Sequence, residues 1–123
     1  LFPSTTLFRS TIVFDKDHRF LWGLGSPGGP SIIDYVAQTL VAILDGGKTP
    51  QEAVALPRHL NTNGITTLEA SPASTALAPQ LVAMGHTVRA TGGEASGLQV
   101  VMRVPGGYVG GADPRRDGVA IGQ

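Results

Sequence analysis

Apolar positions along this chain follow a helical rhythm in three stretches and an alternating one in several others, with glycine and proline between them. Ile32, Ile33, Val36, Ala37, Leu40, Ile43 and Leu44 recur at helical spacing and form one wide stripe. Pro30 stands near the first turn of this helix, where a missing N–H is harmless, and Gly46-Gly47 supplies a left-handed stop. Thr49-Pro50-Gln51-Glu52 is a capping box with proline at the first helical position; its helix continues through Ala53, Val54 and Leu56 and ends at Pro57. A third helix is predicted over residues 74–84, with Leu77, Leu81 and Met84 on one side, Pro79 early in it and Gly85 at its stop. Thr11 to Phe14 is β-branched and aromatic, and Phe20 to Leu24 returns from a polar turn as the second strand of a hairpin. Thr66 to Ala70 and His86 to Ala90 are short strands. Leu98, Val100, Met102 and Val104 alternate with Gln99, Val101 and Arg103, and Pro105-Gly106-Gly107 turns that strand onto Tyr108-Val109-Gly110. The predicted order is β-β-α-α-β-α-β-β-β. Hairpins at both ends favour an α+β fold with a mostly antiparallel sheet and helices layered on it.

Residues 1–10 fit neither rhythm and resemble the translated read-through of a sequencing-library adapter. They are set aside as a foreign segment, leaving 11–123 as the domain. Thr5 and Thr6 are internal, and an N-terminal threonine mechanism needs a free amine on that residue, so both are read as chemically silent. A chain that opens on Leu1 is expected to continue upstream.

Composition narrows the class. A length of 123 residues suits one domain or a piece of one. With 41% hydrophobic and 15% charged residues, wholesale disorder and long solvated helices are excluded. Nine Lys/Arg balance nine Asp/Glu, so no basic excess points to nucleic acid. There is no cysteine, which removes disulfides and thiolate chemistry. No apolar run approaches the ~20 residues of a membrane span.

The segment from Gly25 to Ser31 carries the most chemical information. It leads from a strand into a helix N-terminus, where the first N–H groups lack helical partners and the dipole is positive. Glycines there let a ligand approach the backbone. Pro27 and Pro30 carry no donor, which leaves the amides of Gly28, Gly29 and Ser31 for an anion or for the oxyanion of acyl transfer. A tight structural turn is the competing reading. Residues 23–28 also match G-x-G-x-x-G, with Asp45 downstream, but a capped helix rather than a parallel strand follows. Ser26 lacks the first glycine of a nucleophile elbow, since Leu24 stands there. His18, His59 and His86 have no metal-ligand spacing. Asp15 and Asp17 read as turn residues, and Arg58-His59 as partners of a helix C-terminus. Asp113-Pro114-Arg115-Arg116-Asp117 reads as a salt-bridged turn, or as an arginine site for a carboxylate.

Several of these residues occur together in one known family. Thr11 to Phe14, Leu24-Gly25-Ser26-Pro27-Gly28-Gly29 and the apolar helix after it, Ala55-Leu56-Pro57-Arg58-His59, Leu81 to Gly85, and Gly110-Gly111-Ala112-Asp113-Pro114-Arg115 follow one another as in γ-glutamyltranspeptidases. From Thr11 to Gln123 the chain resembles the C-terminal part of the small subunit of that family. The resemblance implies a fragment of the four-layer αββα sandwich of N-terminal nucleophile hydrolases. It implies a precursor that cleaves itself into large and small subunits, exposing a threonine that attacks the γ-glutamyl amide of glutathione and related compounds. Water or an acceptor amino acid or peptide then takes the acyl group, with no metal or organic cofactor, in the periplasm or outside the cell. Gly28 and Gly29 match the glycines whose amides form the oxyanion hole. The threonine, the residues gripping the substrate's amino group and the large subunit's arginine have no counterpart here. The family's Ser-Ser-Met segment should precede Thr11, and Ser10 is not equated with it. The fragment alone is expected to be inactive, with sheet edges and helix faces exposed. A β-lactam side-chain acylase of the same fold, an anion-binding module and a non-catalytic homologue remain alternatives.

Overall fold

The computed structural model describes residues 10–92 and 96–122. Residues 1–9, and with them Thr5 and Thr6, lie outside the described part. Strands β1 (Ser10–Phe14), β2 (Phe20–Gly25), β6 (Gln99–Val104) and β7 (Gly107–Ala112) form one sheet in the order β1-β2-β6-β7, with every pairing antiparallel. The two predicted hairpins are β1–β2 and β6–β7, and the β2–β6 pairing joins them. Ser10 is the first rung of β1, opposite Gly25.

Strand alternation gives this sheet two different faces. Val13, Trp22, Leu24, Val100 and Met102 point inward. There they meet Ile32, Tyr35 and Val36 of α1 (Ile32–Leu44), Val54 of α2 (Pro50–Ala55), and Leu98, forming the core. The capping box at Thr49 forms as predicted: its Oγ1 accepts from Glu52 N at 3.3 Å and its N donates to the Glu52 carboxylate at 2.8 Å. Leu56 is already extended (ψ 144°), as the residue before a proline prefers, so α2 stops at Ala55. The Gln51 side chain donates to Ala112 O and accepts from Ala112 N, both at 3.0 Å, extending the β7 ladder onto α2.

A second, three-stranded sheet stands beside the first. It has the order β3-β4-β5, from His59–Leu60, Thr66–Glu69 and Val88–Thr91. β4 and β5 are parallel and α3 (Pro72–Ala83) crosses between them, the one parallel pairing among the described strands of a mostly antiparallel fold. α3 also starts two residues earlier than predicted. Ser71 caps it, accepting from Ser74 N at 3.1 Å, and Pro72 takes the first turn, the same device as Thr49-Pro50. Its end is a Schellman motif: Gly85, at φ 94°, donates to Val82 O, and His86 N donates to Leu81 O. No helix among the described residues is long and apolar enough to cross a membrane.

The other face of the four-stranded sheet is apolar and open. Ile12 is 61% exposed and Tyr108 66%; Phe14 and Val101 are exposed with them, and β1 is an edge of the sheet among the described strands. Such a surface recruits other chains. The 123-residue chain by itself is expected to self-associate in sedimentation velocity at micromolar concentration, and Ile12→Lys to shift it toward monomer. A concentration-independent, cooperatively melting monomer contradicts this.

Candidate functional site

The corner between β2 and α1 is built from both of its ends. At its start Ser26, only 4% exposed, donates from Oγ to Pro27 O at 2.7 Å and accepts from Gly97 N at 3.1 Å. At its far end a single 3-10 turn, Gly29–Ser31, runs into α1. Gly28 (φ 136°) and Gly29 (φ 58°) both lie in the left-handed region that favours glycine. A Cβ on Gly28 would come within 2.7 Å of Tyr35 Cε2, a core side chain, whereas one on Gly29 would meet nothing within 4 Å. The corner thus packs on Tyr35 at Gly28 and is open at Gly29.

Of the three amides expected to be available, Ser31 is not: its N–H donates to Gly28 O at 3.2 Å. The amides of Gly28 and Gly29 donate to no described residue. The dinucleotide reading of this segment fails on topology. Both neighbours of β2 are antiparallel to it, so α1 crosses to no parallel strand and no βαβ unit surrounds the glycines. Ser26 directs its proton at Pro27 O rather than at a basic side chain.

Behind the corner lies a buried ionic cluster. Asp113 follows β7, and its side chain is fully buried. Its Oδ2 accepts from Ser96 Oγ, from Leu98 N at 3.2 Å and from Arg58 Nη2 at 3.4 Å; its Oδ1 accepts from Arg115 N at 3.0 Å and Arg115 Nη1 at 2.9 Å. Arg115 forks onto Glu69 through Nε (2.7 Å) and Nη2 (2.5 Å), and Glu69 accepts from Arg58 N at 2.8 Å. The Asp113-to-Asp117 run is therefore a salt-bridged turn, and the carboxylate held by Arg115 is the chain's own Glu69.

Arg58 corrects the plain reading of a surface helix-end residue. Its Nη2 does reach a C-terminal carbonyl of α2, Val54 O, at 2.6 Å, but it is only 1% exposed. It also bonds Thr39 Oγ1 at 3.4 Å and lies 6.0 Å above the Tyr35 ring, while Nε has no partner among the described residues. Burial opposes its charge and Asp113 supports it. Burial opposes ionisation of Asp113 and Glu69 too. The bonds from Ser96, Arg115 and Leu98 to Asp113, and from Arg115 and Arg58 to Glu69, outweigh that and hold both carboxyls below their ordinary range.

The other candidates stay apart. Asp15 binds Asp17 N (2.9 Å) and Arg19 N (3.0 Å) in the first hairpin turn, with Arg103 Nη2 at 2.9 Å. His18 sits in the same turn at φ 58°, the His59 backbone is bracketed by the Gln38 side chain, and His86 Nδ1 faces Thr66 Oγ1 at 3.2 Å. Among the described residues no group of three metal-ligating side chains forms. A groove of about 650 Å³ between α1, β3, β4 and α3 is lined by none of the corner residues. Its lining is largely aliphatic, with the Thr66 hydroxyl, paired to His86, at its polar end.

The comparisons with known proteins now bear on this corner. A protein-family model described as Gamma-glutamyltranspeptidase matches residues 4–123, starting inside the leading segment set aside above. The chain belongs to the γ-glutamyltranspeptidase family. It is 35% identical over 108 residues to the Acylase ACY 1 proenzyme of a Pseudomonas species, covering 86% of this chain and 19% of that protein. Among solved structures it is similar to the γ-glutamyltranspeptidase of Pseudomonas nitroreducens complexed with L-DON (TM-score 0.79, 26% identity), over 92% of this chain and 60% of that one. It is also similar to the cephalosporin acylase of Bacillus halodurans (TM-score 0.75, 29% identity), over 82% of this chain and 20% of that one. The fold is thus that of the N-terminal nucleophile hydrolases of this family. The chain spans about a fifth of the length of the curated relatives it matches.

Two outcomes follow from this geometry. Gly29→Ala should cost about 1–2 kcal/mol, the left-handed penalty alone, and Gly28→Ala clearly more, because its methyl group also meets Tyr35. Pulse proteolysis in urea at sub-micromolar protein measures both, and equal costs would contradict the packing described. Asp113 and Glu69 titrate near ~3.9 and ~4.3 when unfolded and lower when folded, so at acid pH the unfolded chain binds more protons. Their contribution to stability is complete above about pH 5 and is lost as pH falls below about 4. Asp113→Asn should lower stability at pH 7 by about 3–5 kcal/mol and blunt the acid decline. An undiminished decline in the variant would refute the assignment.

Proposed function

We propose that this chain is the C-terminal part of the small subunit of a γ-glutamyltransferase or glutathione hydrolase, and that Gly28 and Gly29 donate its oxyanion-hole hydrogen bonds. The reading is carried by one observation: two adjacent glycine amides without a partner among the described residues, at the head of a helix, in a chain of this family. In the complete enzyme a threonine upstream attacks the γ-glutamyl carbonyl. The carbonyl oxygen becomes an oxyanion, and the Gly28 and Gly29 N–H groups stabilise it. Collapse of this intermediate breaks the C–N bond, and the amine leaves with a proton. Water or an acceptor amine then attacks the acyl-enzyme and forms a second oxyanion at the same two amides; its collapse breaks the ester C–O bond and returns the threonine hydroxyl with its proton. Losing one such donor typically costs ~3 kcal/mol of transition-state stabilisation. The nucleophile and the groups that grip the substrate's amino and carboxylate ends come from polypeptide outside this chain.

A second reading is favoured by the acylase relatives, which share 35% and 33% of residues with this chain. In it the same corner serves a β-lactam side-chain acylase. The acyl-transfer chemistry is unchanged and only the acyl group differs.

The complete precursor, expressed and allowed to process itself, is expected to release p-nitroaniline from γ-glutamyl-p-nitroanilide, while the 123-residue chain alone releases none. Turnover by the isolated chain would overturn the division of labour. A complete enzyme that hydrolyses only an acylated β-lactam would decide for the second reading.

A further inference from the structure

An amide N–H cannot be aimed independently of the carbonyl in its own peptide unit. In a trans peptide the two point in opposite directions, and no described peptide is cis. The Gly28 N–H shares its plane with the Pro27 carbonyl, and the Gly29 N–H shares its plane with the Gly28 carbonyl. Both carbonyls are held: Pro27 O accepts from Ser26 Oγ at 2.7 Å, and Gly28 O accepts from Ser31 N at 3.2 Å. Each amide is therefore turned away from the contact that holds its carbonyl.

The first of these restraints depends on one side chain. We propose that Ser26 is a positioning residue for the oxyanion corner, its buried hydroxyl fixing the Pro27–Gly28 peptide plane and so aiming the Gly28 amide. This rests on the reading of Gly28 and Gly29 as oxyanion donors. A hydroxyl has one proton and two lone pairs. Gly97 N–H occupies a lone pair at 3.1 Å, and the proton is directed at Pro27 O. Without that bond the plane would be weakly restrained, since Gly28 at φ 136° has no Cβ to confine its rotation.

The restraint has a rigid backing. Gly97 is wedged: a Cβ there would lie 2.9 Å from Pro27 Cγ and 3.0 Å from Arg116 Cγ. Its neighbours Ser96 and Leu98 both donate to Asp113 Oδ2, and Asp113 is anchored by Arg58 and Arg115. A continuous path thus runs from the buried carboxylate through residues 96–98 to Ser26 and on to the Gly28 amide. This gives the serine of the corner a role that is neither nucleophilic nor substrate-binding.

The test uses the complete, self-processed enzyme, with active sites counted by covalent titration so that kcat is expressed per working site. Ser26→Ala is expected to lower kcat about 10- to 100-fold, with KM changed less than about twofold, because a misaimed donor fails where charge develops. Ser26→Thr, which keeps the hydroxyl, is expected to recover most of that loss. An unchanged kcat per site in Ser26→Ala overturns the proposal, even if its melting temperature or its yield of sites falls, since that is what a purely structural serine would give. Failure of Ser26→Thr to recover activity while folded also overturns it. If Ser26→Ala yields no folded enzyme, Ser26→Cys, with its weaker donor, takes its place and is read the same way. A wild-type enzyme inactive on both γ-glutamyl-p-nitroanilide and an acylated β-lactam overturns the underlying acyl-transfer reading instead. Wild-type turnover with an indifferent Ser26 overturns this inference alone.

Discussion

A buried carboxylate shared by two arginines holds this chain's separate parts in register. Asp113 comes from the end of β7, Arg58 from the segment after α2, and Glu69, through Arg115, from the second sheet. Isolated burial of any of these charges would be prohibitive, because the interior cannot replace lost hydration. The arrangement is tolerated because each group answers several others. Asp113 accepts five hydrogen bonds, two from backbone amides, and the arginines also satisfy the carbonyls of Val54 and Leu56 that α2 leaves open at its C-terminal end. The cluster therefore closes a helix end, joins two sheets and fixes the entry to β6 at once.

The glycine corner draws its geometry from that frame. Polar anchoring on one side, through Gly97 and Ser26, meets apolar packing on the other, where Gly28 lies against Tyr35 of the core. The corner is thus set by the tertiary structure from both directions, while its amides keep clear of regular hydrogen bonding. Rigid support with an unspent donor is what preorganised stabilisation of a developing charge requires. The apolar outer face of the four-stranded sheet fits the same picture. One face of the sheet is satisfied within the chain, and the other carries Ile12, Phe14, Val101 and Tyr108 into solvent.

Local chemistry was legible wherever it acts over a few residues. The helix α1, the Thr49 capping box, the glycine stop at Gly85 and the two hairpins all appear where the sequence places them, because spacing and cap chemistry are properties of neighbours. The buried face of α1 is narrower than the predicted stripe and rotated from it, with Tyr35 and Thr39 inside and Ile33, Ala37 and Leu44 exposed. The start of α3 is carried by the Ser71-Pro72 cap, ahead of the point where the stripe of Leu77, Leu81 and Met84 begins to set a helical period. The two-residue β3 carries too little pattern to be seen, and the parallel β4–β5 pairing is a relation between strands on either side of a whole helix.

The sequence by itself determined the helices, the hairpins, the family and the identity of the glycines at the helix corner, since these follow from short-range order and a recognisable succession of motifs. It could not assign Arg58, Asp113, Ser26 or Gly97. Arg58 and Asp113 stand 55 residues apart, and Ser26 and Gly97 71 apart. An arginine or a serine reads as a surface residue until the fold removes its water. Only the tertiary structure decided that these side chains are buried together. Burial made their hydrogen bonds obligatory, and the corner they hold keeps two glycine amides unspent among the described residues.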